Sequence, residues 1–174
     1  AAGGQNPGAS PASESPDCSL TVNGTAWTFD TCKTPTSSGG TFTAYASVEA
    51  RGTGSLLRLA FRARLEDLGW AALGIPETPF AMIGSRAAIA QTNASSATGA
   101  SLDGYDLPEY DSNAVEATRG SFSLLQPAAQ VTSGILSAVF GVAMDQTVEE
   151  LVASPFYFIY AIGPLGPNGL VLSH

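Results

Sequence analysis

The chain has 174 residues, a net charge of −8, and only 13% charged residues against 44% apolar ones. One lysine and six scattered arginines offer no basic surface to a phosphate backbone, which excludes nucleic acid as a partner. No apolar run approaches the ~20 residues that span a bilayer, so no direct membrane insertion is expected of this chain.

The length suits one domain, since single domains run to roughly 100–200 residues. Residues 1–16 are small, polar and Pro-rich and cannot bury apolar surface, so they are expected to be a disordered leader or linker. The chain starts without Met or a signal-like stretch and reads as a mature or excised fragment. The domain proper is expected over 17–174.

Cys18 and Cys32 flank a strand-like segment and a turn, a spacing that suits a disulfide. With a single histidine in the chain they cannot make an ordinary four-ligand zinc site. Two N-x-S/T sequons, at Asn23-Gly24-Thr25 and Asn93-Ala94-Ser95, are weak signals alone. Together with the cysteines they point to a secreted, extracytoplasmic glycoprotein.

Strand signals then follow one another. Ala26–Phe29 alternates weakly, and Thr41–Val48 alternates better. Leu56–Arg64 places its arginines on one face and Leu57, Leu59, Phe61 and Ala63 on the other, which predicts a half-buried strand. Gly69–Ile75 is an apolar run ended by Pro76. Ala87–Gln91, Phe122–Leu125, Ile135–Val142 and Phe156–Ile162 complete the set. The best helix candidate is Asp145–Val152, where Thr147 and Glu150 fit a capping box. Many short strands with frequent turns predict an all-β sandwich or barrel with at most one or two short helices.

Catalytic signatures are sparse. HExxH, CxxC and Walker motifs are absent, and Leu57 stands where a dinucleotide pattern begun at Gly52-Thr53-Gly54 needs glycine. The single histidine, His174, has no GxSxG elbow to serve, so hydrolytic chemistry has no support. The stretch Asp103–Asp111 is rich in carboxylates that suit calcium, but its spacing is not that of an EF-hand, and it reads as a solvated acidic loop.

Two further stretches carry more. The first is Gly69-Trp70, followed by Ala81-Met82-Ile83-Gly84-Ser85-Arg86; the second is Tyr160-Ala161-Ile162-Gly163-Pro164, followed by Gly169 and His174. This order resembles the DOMON family, in particular the plant-type b-haem domains joined to a cytochrome b561 membrane domain. It is similar, more distantly, to the cytochrome domain of cellobiose dehydrogenase. The resemblance covers roughly residues 18–174.

The resemblance implies an immunoglobulin-like antiparallel β-sandwich holding one haem b in an apolar crevice. Carried over residue by residue, the iron ligands are Met82 and His174. Trp70, Phe80, Ile83 and Leu172 are expected to line the crevice, and Arg86 to pair with a propionate. Met144, the only other thioether, lies outside the Met-x-Gly-Ser turn. Tyr160 stands where haem-binding relatives often have Trp, and Ala81 where plant relatives often have Gly. A Met/His pair raises the reduction potential and fills both axial positions, so one-electron transfer is implied, more than catalysis in its own right. The implied partners are a b561-type membrane domain and a small reductant such as ascorbate. The alternative is a haem-free DOMON module that binds carbohydrate or a protein partner, with Tyr105 and Tyr110 as exposed stacking aromatics.

Overall fold

The computed structural model describes residues 17–78, 81–109, 111–153, 157–167 and 169–170. The expected leader lies outside these residues. The strands are β1 (Ser19–Val22), β2 (Thr25–Thr28), β3 (Thr31–Lys33), β4 (Phe42–Arg51), β5 (Gly54–Arg64), β6 (Gly69–Ile75), β7 (Ser85–Thr92), β8 (Ala100–Leu107), β9 (Leu125–Thr132), β10 (Ile135–Met144), β11 (Ile159–Gly166) and β12 (Gly169–Leu170). Two short helices are α1 (Ser112–Glu116) and α2 (Val148–Ala153). One five-stranded sheet has the order β3-β4-β5-β10-β9, the other the order β12-β11-β6-β7-β8, and β1-β2 is a separate hairpin. All pairings are antiparallel. The expected all-β sandwich is what the chain forms.

The period of two in β5 decides the packing. Leu57, Leu59, Phe61 and Ala63 face inward, where they meet Ala71 and Leu73 of β6 and Ala88 and Ala90 of β7. Phe42 stacks on Phe61 at 5.6 Å between ring centroids. The opposite face of β5 departs from the half-buried expectation. Arg58 and Ala60 are buried there, because the β1-β2 hairpin lies on this face with Leu20 and Val22 against Ala60 and Val139. The indole of Trp27 stacks on the Arg58 guanidinium, 4.6 Å from ring centroid to Cζ. Arg58 can be buried because its charge meets the ring and Glu49, 3.5 Å from its Nε.

The hairpin is held at both ends. Asn23 and Gly24 have φ of 51° and 77°, the left-handed pair required by a two-residue type I′ turn. At the other end the Cys18–Cys32 disulfide ties the hairpin to β3. The capping box also forms as expected. The Thr147 amide donates to Glu150 Oε2 at 2.8 Å, and the Glu150 amide to Thr147 Oγ1 at 3.3 Å.

The acidic stretch is different from its expectation. Asp103–Leu107 belongs to β8, and Tyr105 is 1% exposed. Asp111 caps α1 by accepting from the amides of Asn113 and Ala114. A strand and a helix cap therefore replace the solvated loop, and Tyr105 is no stacking platform; Tyr110 lies outside the described residues. Asp103 and Tyr105 occupy alternate positions of a strand, a signal masked by their shared polarity.

Candidate functional site

The outer face of the second sheet carries its own apolar cluster. Alternation along β6 sends Ala71 and Leu73 to the central core and Trp70 and Ala72 outward. Ala87 and Ile89 of β7, Tyr105 and Leu107 of β8, and Ile159 and Ala161 of β11 share that face. Val115 of α1 is buried against the same cluster, and α1 also approaches β12. The helix therefore lies over the sheet as a partial lid.

The segments singled out in the sequence meet here. In the register of β6 and β11, Trp70 opposes Gly163 and Gly69 opposes Pro164. A Cβ added at Gly163 would sit 2.6 Å from Trp70 Nε1 and Cε2. The indole thus lies across Gly163, and only a residue without a side chain leaves it room. The Gly-Trp and Gly-Pro stretches, 94 residues apart in sequence, are two sides of one contact.

Met82-Ile83-Gly84-Ser85 is a β-turn, with the Ser85 amide donating to the Met82 carbonyl at 3.1 Å. Its third position requires left-handed backbone, and Gly84 supplies it at φ +83°. The buried Ser85 hydroxyl donates to the Ala81 carbonyl at 2.7 Å, and the Gly84 amide to the Leu107 carbonyl at 2.8 Å. These bonds fix the turn to the end of β8. Met82 is half-buried and packs on the outer cluster. Ile83, at 49% exposure, stands at the turn tip.

Trp70 and Met82 are thus brought onto one patch, and Arg86 is not. Ser85 and Ala87 face the outer cluster, so Arg86 between them points to the opposite side of β7, where its guanidinium lies 5.1 Å from the Phe122 ring centroid. Met144 packs against the central core, away from this face. Phe80, Leu172 and His174 lie outside the described residues. β12 runs antiparallel to β11, Leu170 opposite Leu165.

Sequence reasoning missed the cation of the outer face. Arg119 Nη2 donates to Glu116 Oε2 at 2.8 Å, its Nη1 lies 3.6 Å from Asp103 Oδ2, and its Cζ is 5.8 Å from the Tyr105 ring centroid. The Glu116 hydrogen bond holds the guanidinium in its charged form. Burial pushes the Tyr105 hydroxyl up to about 12, against the opposing pull of Arg119. Among the described residues no group of three or more His, Cys, Asp or Glu side chains is placed to hold a metal ion.

A cavity of about 490 Å³ opens at one end of the sandwich, between the β5–β6 connection and β11, and shares Gly69, Gly163 and Pro164 with the Trp70 contact. Its wall combines Arg64, Glu66 and Asp67 with Leu68, Ile162 and Pro164. Leu68 is 68% exposed at its rim. No protein-family model, no curated protein and no solved structure matches this chain.

Proposed function

We propose that this chain is an extracytoplasmic b-type cytochrome domain in which Met82, at the edge of the outer cluster of the second sheet, would be one of the two residues holding the haem. The observation that carries the reading is the convergence of Trp70, Met82 and Gly163 on one apolar patch. The residues suit the group: a thioether in an apolar, half-buried setting is a soft donor for haem iron, and His174 is the one imidazole in the chain. When bound, haem would supply one-electron exchange between ferric and ferrous iron. Met82 and His174 would hold it, Trp70 would wall the apolar side, and the bonds of Ser85 and Gly84 would keep Met82 in place. Held by Met82 and His174, the group would serve electron transfer to a redox partner, for which a b561-type membrane domain or a small reductant is suited.

Visible spectra test this, taken with added haemin before and after dithionite on the parent chain, Met82→Ala and His174→Ala. Sharp, split α and β bands in the reduced parent, lost in both variants, are expected. A parent spectrum identical to free haemin would sink the reading.

One observation favours a second reading, a haem-free module that binds a carbohydrate or a protein partner. The 490 Å³ cavity places a guanidinium and two carboxylates around an apolar floor, a mixture that suits a saccharide. Titration of the haem-free chain with a panel of mono- and oligosaccharides, followed by amide shifts at Arg64–Gly69, checks it. Absence of shifts at millimolar sugar would remove the carbohydrate form of this reading.

A further inference from the structure

The two sequons differ sharply in their settings. Asn23 and Gly24 form the tip of the β1-β2 hairpin, and Asn23, Gly24 and Thr25 are all exposed. The tip projects into open space, since a Cβ added at Gly24 would meet nothing within 4 Å. The turn is held by backbone: the Asn23 amide donates to Gln130 Oε1 at 2.7 Å, and Gln130 Nε2 donates to the Thr21 carbonyl at 3.1 Å. These bonds use the main chain of the tip and leave the Asn23 carboxamide unengaged among the described residues.

Asn93 is placed otherwise. It is half-buried, and its Oδ1 accepts the Ser95 amide at 3.0 Å, an Asx turn that fixes the side chain against the third residue of its own sequon through its oxygen alone. The connection is closed further by bonds from the Asn93 amide to the Gly99 carbonyl at 2.8 Å and from the Ser96 amide to the Asn93 carbonyl at 3.1 Å.

We propose that Asn23, and not Asn93, is the N-glycan acceptor of this chain. The donor is an oligosaccharide carried on a polyprenyl pyrophosphate. The Asn23 side-chain nitrogen Nδ2 bonds to the anomeric carbon and loses a proton to the transferase. The bond from that carbon to the pyrophosphate oxygen breaks, and polyprenyl pyrophosphate leaves with the electron pair. The Cys18–Cys32 disulfide, five residues from Asn23, forms in the oxidising compartments where such transfer takes place. Asn23 is exposed at the hairpin tip, whereas Asn93 is half-buried in a connection closed by its own backbone bonds. The glycan would leave from the hairpin side of the first sheet, clear of the outer face of the second.

The test is expression of the chain from a eukaryotic secretory host, with sites mapped by amidase release in ¹⁸O water and mass spectrometry. Asn23 is expected to be occupied in most molecules and Asn93 in a minor fraction. Thr25→Ala, which keeps Asn23 in its turn, should abolish the Asn23 signal without changing the fold, as checked by circular dichroism. Asn23→Asp provides a second variant whose residue tolerates left-handed backbone. A bare Asn23, or Asn93 occupied as fully as Asn23, would overturn the assignment.

Discussion

Substituting Gly163 by Ala tests the contact on which the candidate site is built. The added methyl would lie 2.6–2.7 Å from three atoms of the Trp70 indole. Carbon atoms pack at about 3.5–4.0 Å, so the ring must retreat by about 1 Å. It has little space for this, being 3% exposed between neighbouring strands. Overpacking of this kind costs about 1–3 kcal/mol, and a rigid ring with no free end belongs in the middle of that range, at about 2 kcal/mol. For a domain of this size the melting temperature should fall by about 4–8 °C. The assay is thermal and urea unfolding with indole fluorescence, in a Trp27→Phe background so that only Trp70 reports. A double-mutant cycle gives the decisive number. In a Trp70→Ala background, followed by circular dichroism because no indole remains, the clash is gone, so Gly163→Ala should become nearly neutral, leaving a coupling energy of about 2 kcal/mol. A Gly163→Ala protein as stable as the parent, with unchanged emission, would show that the indole does not lie across Gly163.

The remaining predictions concern stability. Removing the disulfide with Cys18→Ser and Cys32→Ser, which are 14 apart in sequence, should cost about 3 kcal/mol in urea unfolding, the value for a loop of that length; a loss under 1 kcal/mol would show that the hairpin holds without its staple. Tyr105 favours its neutral form in the fold because its hydroxyl is pushed up to about 12 from 10.0. Stability is therefore fully present below pH 10 and should fall by up to about 3 kcal/mol as pH rises from 10 to 12. Comparing alkaline unfolding of the parent and Tyr105→Phe checks this, and identical pH profiles would refute it.

The sequence showed the elements whose side chains repeat with a clear period or run unbroken. β6 coincides with the apolar run Gly69–Ile75, and β5 with the alternation around Leu57–Ala63. The capping box of α2 and the disulfide were equally legible, because each depends on two residues at a fixed spacing. What stayed hidden depends on partners far along the chain. β3 and β12 are two or three residues long and exist only through their neighbours. β9 carries Pro127 and a left-handed Gln126, which argue locally against a strand. At the candidate site, the turn at Met82–Ser85 was readable from its Gly84, while the side of β7 on which Arg86 lies depends on strand parity. The pairing of Arg119 with Asp103 joins residues sixteen apart through a short helix that no periodicity announces.

The coverage of the first sheet on both faces has a consequence for solubility. From Leu136 to Val142 every residue of β10 is buried and none is charged. A segment of this composition, if bared, is a template for intermolecular cross-β stacking. In the fold it is flanked by β5 and β9, faced by the second sheet, and roofed by the hairpin. The hairpin is therefore a gatekeeper as well as a layer. A chain whose hairpin came loose would keep its central core yet present Ala60 and Val139 to its neighbours, and its first failure would be association with other copies before loss of its own strands.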